Sequence, residues 1–108
     1  MTDLDRAVRE HCDLYNASVA SGDWDPFVAT FTEDVEMSFA GGRFPALTGR
    51  RAVAAAYARQ PPSDTMRIDR VEPTGEDTVR AHFTWGRGGA GEMVVRWHGD
   101  QVAAMRMS

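Results

Sequence analysis

Few side chains in this sequence could do acid–base or nucleophilic work. There are two tyrosines, Tyr15 and Tyr57, three histidines, His11, His82 and His98, and one cysteine, Cys12. A phenol can donate a hydrogen bond to a carbonyl and polarise it. With an unperturbed pKa of about 10 it is a poor base near neutrality. An imidazole, at about 6.5, suits the work of a general base. His82 lies in the alternating segment "TVRAHFTW". It is either the base of a pocket or a residue of an outer sheet face, solvated or covered by a partner. Cys12 sits mid-helix beside His11, with neither a helix N-terminus nor a sequence-adjacent arginine to favour its thiolate, and reads as a small buried apolar residue. No two histidines have ligand-like spacing, and a lone cysteine cannot build a multi-cysteine zinc site or an internal disulfide. Neither a metal nor a cofactor is expected.

The basic residues narrow the chemistry further. All 12 are arginine. Schiff-base catalysis and a Walker-type phosphate loop both need a lysine and are excluded. The formal charge of −4 disfavours nucleic acid, whose phosphates require a basic field. No apolar run approaches the ~20 residues of a membrane span, and "MTDLDRAVREH" has no signal-peptide h-region. These features predict a cytoplasmic protein that meets neither nucleic acid nor membrane.

The elements that must position these groups follow from periodicity. Leu4, Val8, His11, Tyr15 and Val19 recur at helical spacing, which predicts an amphipathic helix over 3–20, ended by Gly22. "DWDPF" predicts a short second helix capped by Asp25, with Pro26 at its first position, ending near Phe31. "VEMSF" alternates Val35, Met37 and Phe39 against Glu36 and Ser38, as a strand with one buried face does. "GGRFPAL" reads as a turn with room for a small strand, and "GRRAVAAAYARQ" as an alanine-rich helix stopped by Pro61-Pro62. Beyond the prolines the period falls to two. "MRIDRVEP", "TVRAHFTW", "GEMVVRW" and "QVAAMRM" read as four strands joined by turns at "TGED", "GRGGAG" and "HGD". Helices followed by an antiparallel meander make the fold class α+β, one domain over 1–108.

Three stretches carry a family likeness: "SGDWDPFVATFTEDVEMSF", "LTGRRAVAAAYARQ" and "VRWHGDQVAAMRM". In these and in the order of its elements, the chain resembles the NTF2-like superfamily, and within it the SnoaL-like and ketosteroid isomerase-like small domains. The resemblance implies a cone: three helices packed on a strongly curved, mainly antiparallel sheet that encloses a pocket. It also implies where chemistry would sit. Tyr15 falls on the first-helix phenol of the ketosteroid isomerases, and Tyr57 on a supporting phenol of the third helix. Their carboxylate base falls on Phe39, and the acid of their oxyanion hole on or near Met93. Both carboxyl groups are lost, so an efficient steroid isomerase is not expected.

Strand parity places Val35, Met37 and Phe39 on one face, with Val79, Ala81 and Phe83, with Met93, Val95 and Trp97, and with Met105 and Met107. The opposite face holds Glu36, Arg80, His82, Thr84, Glu92, Arg96 and Arg106. A slip of one residue would invert any strand. With Trp24, Phe27 and Phe31, the apolar set is either a pocket for an apolar small molecule or a filled core. Two functions stand open. One is a small-molecule-binding protein with isomerase- or cyclase-like carbonyl chemistry, carried by Tyr15 and Tyr57 with His82 as base. The other is a non-catalytic module that forms a homodimer through its outer sheet face. Tyr15 is expected to point into the cavity across from Phe39, within hydrogen-bond reach of Tyr57.

Overall fold

The computed structural model describes residues 3–41 and 44–108. Helix α1 (Leu4–Ser21) is capped by Asp3, whose carboxylate accepts from Arg6 N at 3.1 Å. It ends where Gly22 adopts φ 79° and its N–H returns to Ser18 O at 2.8 Å. A residue with a Cβ is strained in that left-handed conformation. Helix α2 (Asp25–Val28) is one turn long. Its cap differs from the expected one. Asp25 is itself helical, and Asp23 supplies the carboxylate that accepts from Asp25 N at 3.1 Å.

Strand β1 (Phe31–Phe39) begins four residues before the predicted Val35. The second helix cannot reach Phe31, because Thr30 turns back and both its N–H and its hydroxyl donate to Phe27 O. Phe31 then pairs with Val102, while the register shifts before Glu36. That irregularity carries "TED" out of the alternation a sequence reader follows. The short strand β2 (Leu47–Thr48) adds antiparallel to β1. Helix α3 (Arg50–Arg59) starts after Gly49, at φ 92°. The remaining strands are β3 (Met66–Pro73), β4 (Thr78–Trp85), β5 (Ala90–His98) and β6 (Gln101–Met107). Sheet order is β2-β1-β6-β5-β4-β3, antiparallel throughout except for β1 against β6.

The helices cover one face of this sheet: α1 lies on β3 and β4, α3 on β1, and α2 bridges the two helices. The covered face carries Val35, Met37, Val79, Ala81, Phe83, Met93 and Val95, all essentially inaccessible. The other face is an ion-paired lattice, with Arg80 on Glu92 at 2.6 Å and Arg67 on Asp69 at 3.1 Å. Among the described residues no helix is long and apolar enough to cross a membrane.

The Asn16 amide ties α1 to the sheet. Asn16 Nδ2 donates to Met66 O at 2.8 Å, and Met66 N donates to Asn16 Oδ1 at 2.9 Å. The amide thus pairs with the start of β3 as a neighbouring strand would. Met66 is buried, so losing the amide strands a donor away from water. Asn16→Ala should lower unfolding free energy in urea by about 1–3 kcal/mol while the protein still folds.

Candidate ligand cavity

The cone is filled at its narrow end and hollow at its wide end. The filled part is aromatic. Phe27 lies 5.1 Å from Phe31 between ring centroids, His11 lies 4.7 Å from Phe27, and Trp97 sits edge-on to His11 at 6.0 Å. The hollow part is an open cavity of about 1060 Å³. Its α3 wall is Ala52, Ala55 and Ala56, then Tyr57 and Arg59. The i, i+3, i+4 alanines share a helix face, and methyl groups there leave space that larger side chains would occupy.

Of the residues expected to form a pocket, Phe27, Phe39, Phe83, Met93, Met105 and Met107 line the cavity, as do Tyr15 and Tyr57. Trp24, Phe31, Met37, Val95 and Trp97 do not; they pack in the core. Alternation tells which face of a strand is covered, but not how far along it the helices still touch. Residues missed from sequence include His11, Met66, Trp85 and the Pro61-Pro62 rim. The run of alanines in α3 was the available signal for an empty wall.

His82 is a correction. It stands on the outer sheet face, with Nε2 3.2 Å from Arg70 Nη2 and 3.5 Å from Glu72 Oε1, and does not line the cavity. The reason is parity: Ala81 and Phe83 point inward, so the residue between them points out.

The two phenols also differ from expectation. Tyr15 OH donates to the main-chain oxygen of Asp64 at 2.9 Å, not to Tyr57. Tyr57 OH has only Met37 Sδ, at 3.9 Å, and a thioether is a weak acceptor. The Tyr57 ring is held in place, stacked on Phe27 at 5.6 Å and met edge-on by Trp24 at 4.9 Å. Burial, with the Asp64 charge next, pushes Tyr15 up to about 12. Burial also raises Tyr57. Both therefore stay protonated as hydrogen-bond donors. Cys12 is pushed up to about 11, first by burial and then by Asp13, and its thiol donates to Met66 O at 3.5 Å. It is no nucleophile at neutral pH.

His11 lies at the cavity floor. Its Nδ1 is 3.2 Å from Thr30 Oγ1, whose own proton is committed to Phe27 O at 2.6 Å. Thr30 must then accept, so Nδ1 carries the hydrogen and Nε2 holds the bare lone pair. Nε2 has no partner and is sealed from solvent. Burial lowers its pKa to about 4.

Helices over a curved six-stranded sheet, open at one end, make this an NTF2-like cone. Residues 8–107 match the SnoaL-like domain, and the chain belongs to that family. An NTF2-like protein from Anabaena variabilis superposes with TM-score 0.73 at 19% identity, over 95% of this chain and 86% of that one. A Bacillus subtilis protein provisionally named an isomerase gives 0.76 at 15% identity, over 99% and 88%. A Sinorhizobium meliloti protein provisionally named a polyketide cyclase gives 0.71 at 14%, over 92% and 94%. At such identities the likeness is one of fold. No curated protein matches the sequence.

Two outcomes test this geometry. Gly91 lies opposite Phe83, and a Cβ there would stand 2.7 Å from Phe83 Cε2 and nearer still to Cζ. Gly91→Ala should displace the Phe83 ring, weaken binding of an apolar fluorescent probe, and cost about 1–3 kcal/mol of stability. His11 gives a pH signature. Its folded pKa lies below the unfolded value of 6.5, so the unfolded chain binds the proton more readily. Stability is complete above 6.5 and falls as pH drops towards 4. Urea unfolding should show a loss of about 2 kcal/mol between pH 7 and pH 5, and His11→Gln should largely remove it.

Proposed function

We propose that the protein binds a mostly apolar small molecule in the open cavity, and that Tyr57 donates its hydroxyl hydrogen to an oxygen acceptor of that ligand. The observation that carries this reading is the unequal use of the two phenols. Tyr15 has spent its donor on Asp64 O, whereas Tyr57 offers its own to a thioether. A ligand carbonyl is the better acceptor, and the aromatic contacts of Tyr57 fix where that oxygen would sit.

Chemistry at this site would be carbonyl polarisation followed by proton transfer, of the isomerase or cyclase class. The provisional names of the Bacillus and Sinorhizobium proteins agree with that class. The lining supports binding more strongly than turnover. Phe39 and Met93 stand where the ketosteroid isomerase resemblance would put carboxyl groups, and no aspartate or glutamate is among the described lining residues. Proton abstraction needs a base within reach. Efficient steroid isomerisation is therefore not part of this reading.

The test is titration calorimetry with 2-decanone as an apolar carbonyl probe. Tyr57→Phe should weaken binding by about 0.5–1.5 kcal/mol, the net value of a neutral hydrogen bond, with little change in melting temperature. Tyr15→Phe should do the reverse, lowering stability by about 1 kcal/mol and leaving the ketone's affinity nearly unchanged. Equal affinity of 2-decanone for Tyr57→Phe and the parent chain would remove Tyr57 from the site.

A further inference from the structure

The charged side chains that line the cavity are of one sign. The chain carries 16 acidic residues and a net charge of −4, yet no acidic side chain is among the described lining residues. The one permanently charged side chain there is Arg59, in the last turn of α3. Arg59 is exposed and makes no ion pair or side-chain hydrogen bond with the described residues. Arg6, Arg9, Arg67, Arg70 and Arg80 are paired with carboxylates; of the arginines left without an ion pair among the described residues, Arg59 is the one that lines the cavity. Gln60 and Ser63 flank Arg59 along the same rim and add neutral hydrogen-bonding groups. Behind the rim the lining turns apolar, with Ala55, Ala56, Phe83 and Met105.

We propose that the ligand is an amphipathic carboxylate, its apolar body in the cavity and its carboxylate against Arg59 at the mouth. A guanidinium matches a carboxylate with two parallel N–H donors, a geometry an ammonium lacks. At the mouth the carboxylate keeps part of its hydration, so it avoids the cost of burying a charge. The apolar body supplies the bulk of the affinity and the ion pair its orientation. This rests on the binding reading above and adds the charged end of the ligand. Carrying a carbonyl deep in the cavity, such a molecule would meet Tyr57 at one end and Arg59 at the other.

The experiment titrates the full chain with decanoate, 1-decanol and decylammonium, and with 2-decanone in parallel. Decanoate should bind most tightly, although the acidic chain as a whole favours the ammonium. Its affinity should fall as salt rises, because a pair at the rim is screened. Arg59→Gln should weaken decanoate about three- to fivefold and change 2-decanone less than about 1.5-fold. Arg59→Lys should recover only part of the loss. These exposed positions tolerate substitution, so folding is not in question.

The two readings fail separately. If 2-decanone binds through Tyr57 while decanoate is indifferent to Arg59→Gln, the carboxylate proposal falls and the cavity reading stands. If decanoate depends on Arg59 while Tyr57→Phe leaves the ketone unchanged, the role of Tyr57 falls instead. Decanoate binding no tighter than decylammonium, or not at all, overturns the proposal.

Discussion

The Asn16 side chain and the main chain of Met66 close a two-bond ring, and the wide end of the cone depends on where that ring holds α1. The same short segment receives two further groups from α1, as Cys12 Sγ donates to Met66 O and Tyr15 OH to Asp64 O. From the other side, Asp64 Oδ2 accepts from Arg87 N, and Gly86 N donates to Thr65 O. Residues 64–66 are therefore a seam between the first helix and the β4–β5 turn. Hydrogen bonds set spacing more sharply than apolar contact does, because they weaken steeply with distance and angle. A helix held by packing alone would be free to settle into the space beside it. One tied by an amide to a strand's main chain keeps its distance, and the cavity survives.

The same helix serves two different ends. Towards the narrow end, Val8 and His11 meet Phe27, Phe31 and Trp97 in close aromatic contact. Towards the wide end, Tyr15 faces open space. What changes along the axis is the opposing wall. Val53 on α3 is fully buried, whereas Ala55 and Ala56, further along, are too small to close the gap. Protein interiors are otherwise filled to crystal-like density. A hollow therefore needs both a wall of small residues and a frame stiff enough not to collapse into it.

Much of the cone could be read from the sequence, for reasons that differ by element. Strands β4 and β5 keep strict alternation, and their inward and outward faces follow from it, whereas β3 slips its register between Ile68 and Arg70 and β6 at Ala103. The stop of α1 at Gly22 is local chemistry and equally legible, while Asp3, read as the helix's first residue, is its N-cap. The early start of β1 was hidden, because its register shift breaks the alternation through Glu33 and Asp34. The site was read less well. Phe39, Phe83, Met93, Met105 and Met107 line the cavity from the strand face that parity gave them, and Phe27 and both phenols line it from helices, but Trp24, Phe31, Met37, Val95 and Trp97 pack in the filled end. His82 stands on the outer face of its strand, turned away from the cavity. Asn16 gave no sign at all: its partner lies 50 positions away, and an isolated asparagine on a helix carries no period. The carboxylates missing at Phe39 and Met93 were visible only because a resemblance said where to look.

That absence shapes what the cavity can do. Inside the rim, the titratable side chains His11, Cys12, Tyr15 and Tyr57 are neutral near physiological pH, and burial is the largest cause for each. Burial lowers His11 to about 4, and it raises Cys12, Tyr15 and Tyr57 well above neutrality. Desolvation always favours the uncharged form. The low dielectric of an apolar interior thus also disarms the acids and bases around it. The ketosteroid isomerases escape this by burying carboxyl groups whose raised pKa values become useful. With Phe39 and Met93 instead, the interior keeps only a neutral donor, Tyr57, and a sealed acceptor, His11. A neutral donor strengthens as water is excluded, so this interior favours a group that would orient and polarise a ligand oxygen, and any proton transfer there would need a base from outside the lining. Permanent charge is left to the rim, where Arg59 remains hydrated.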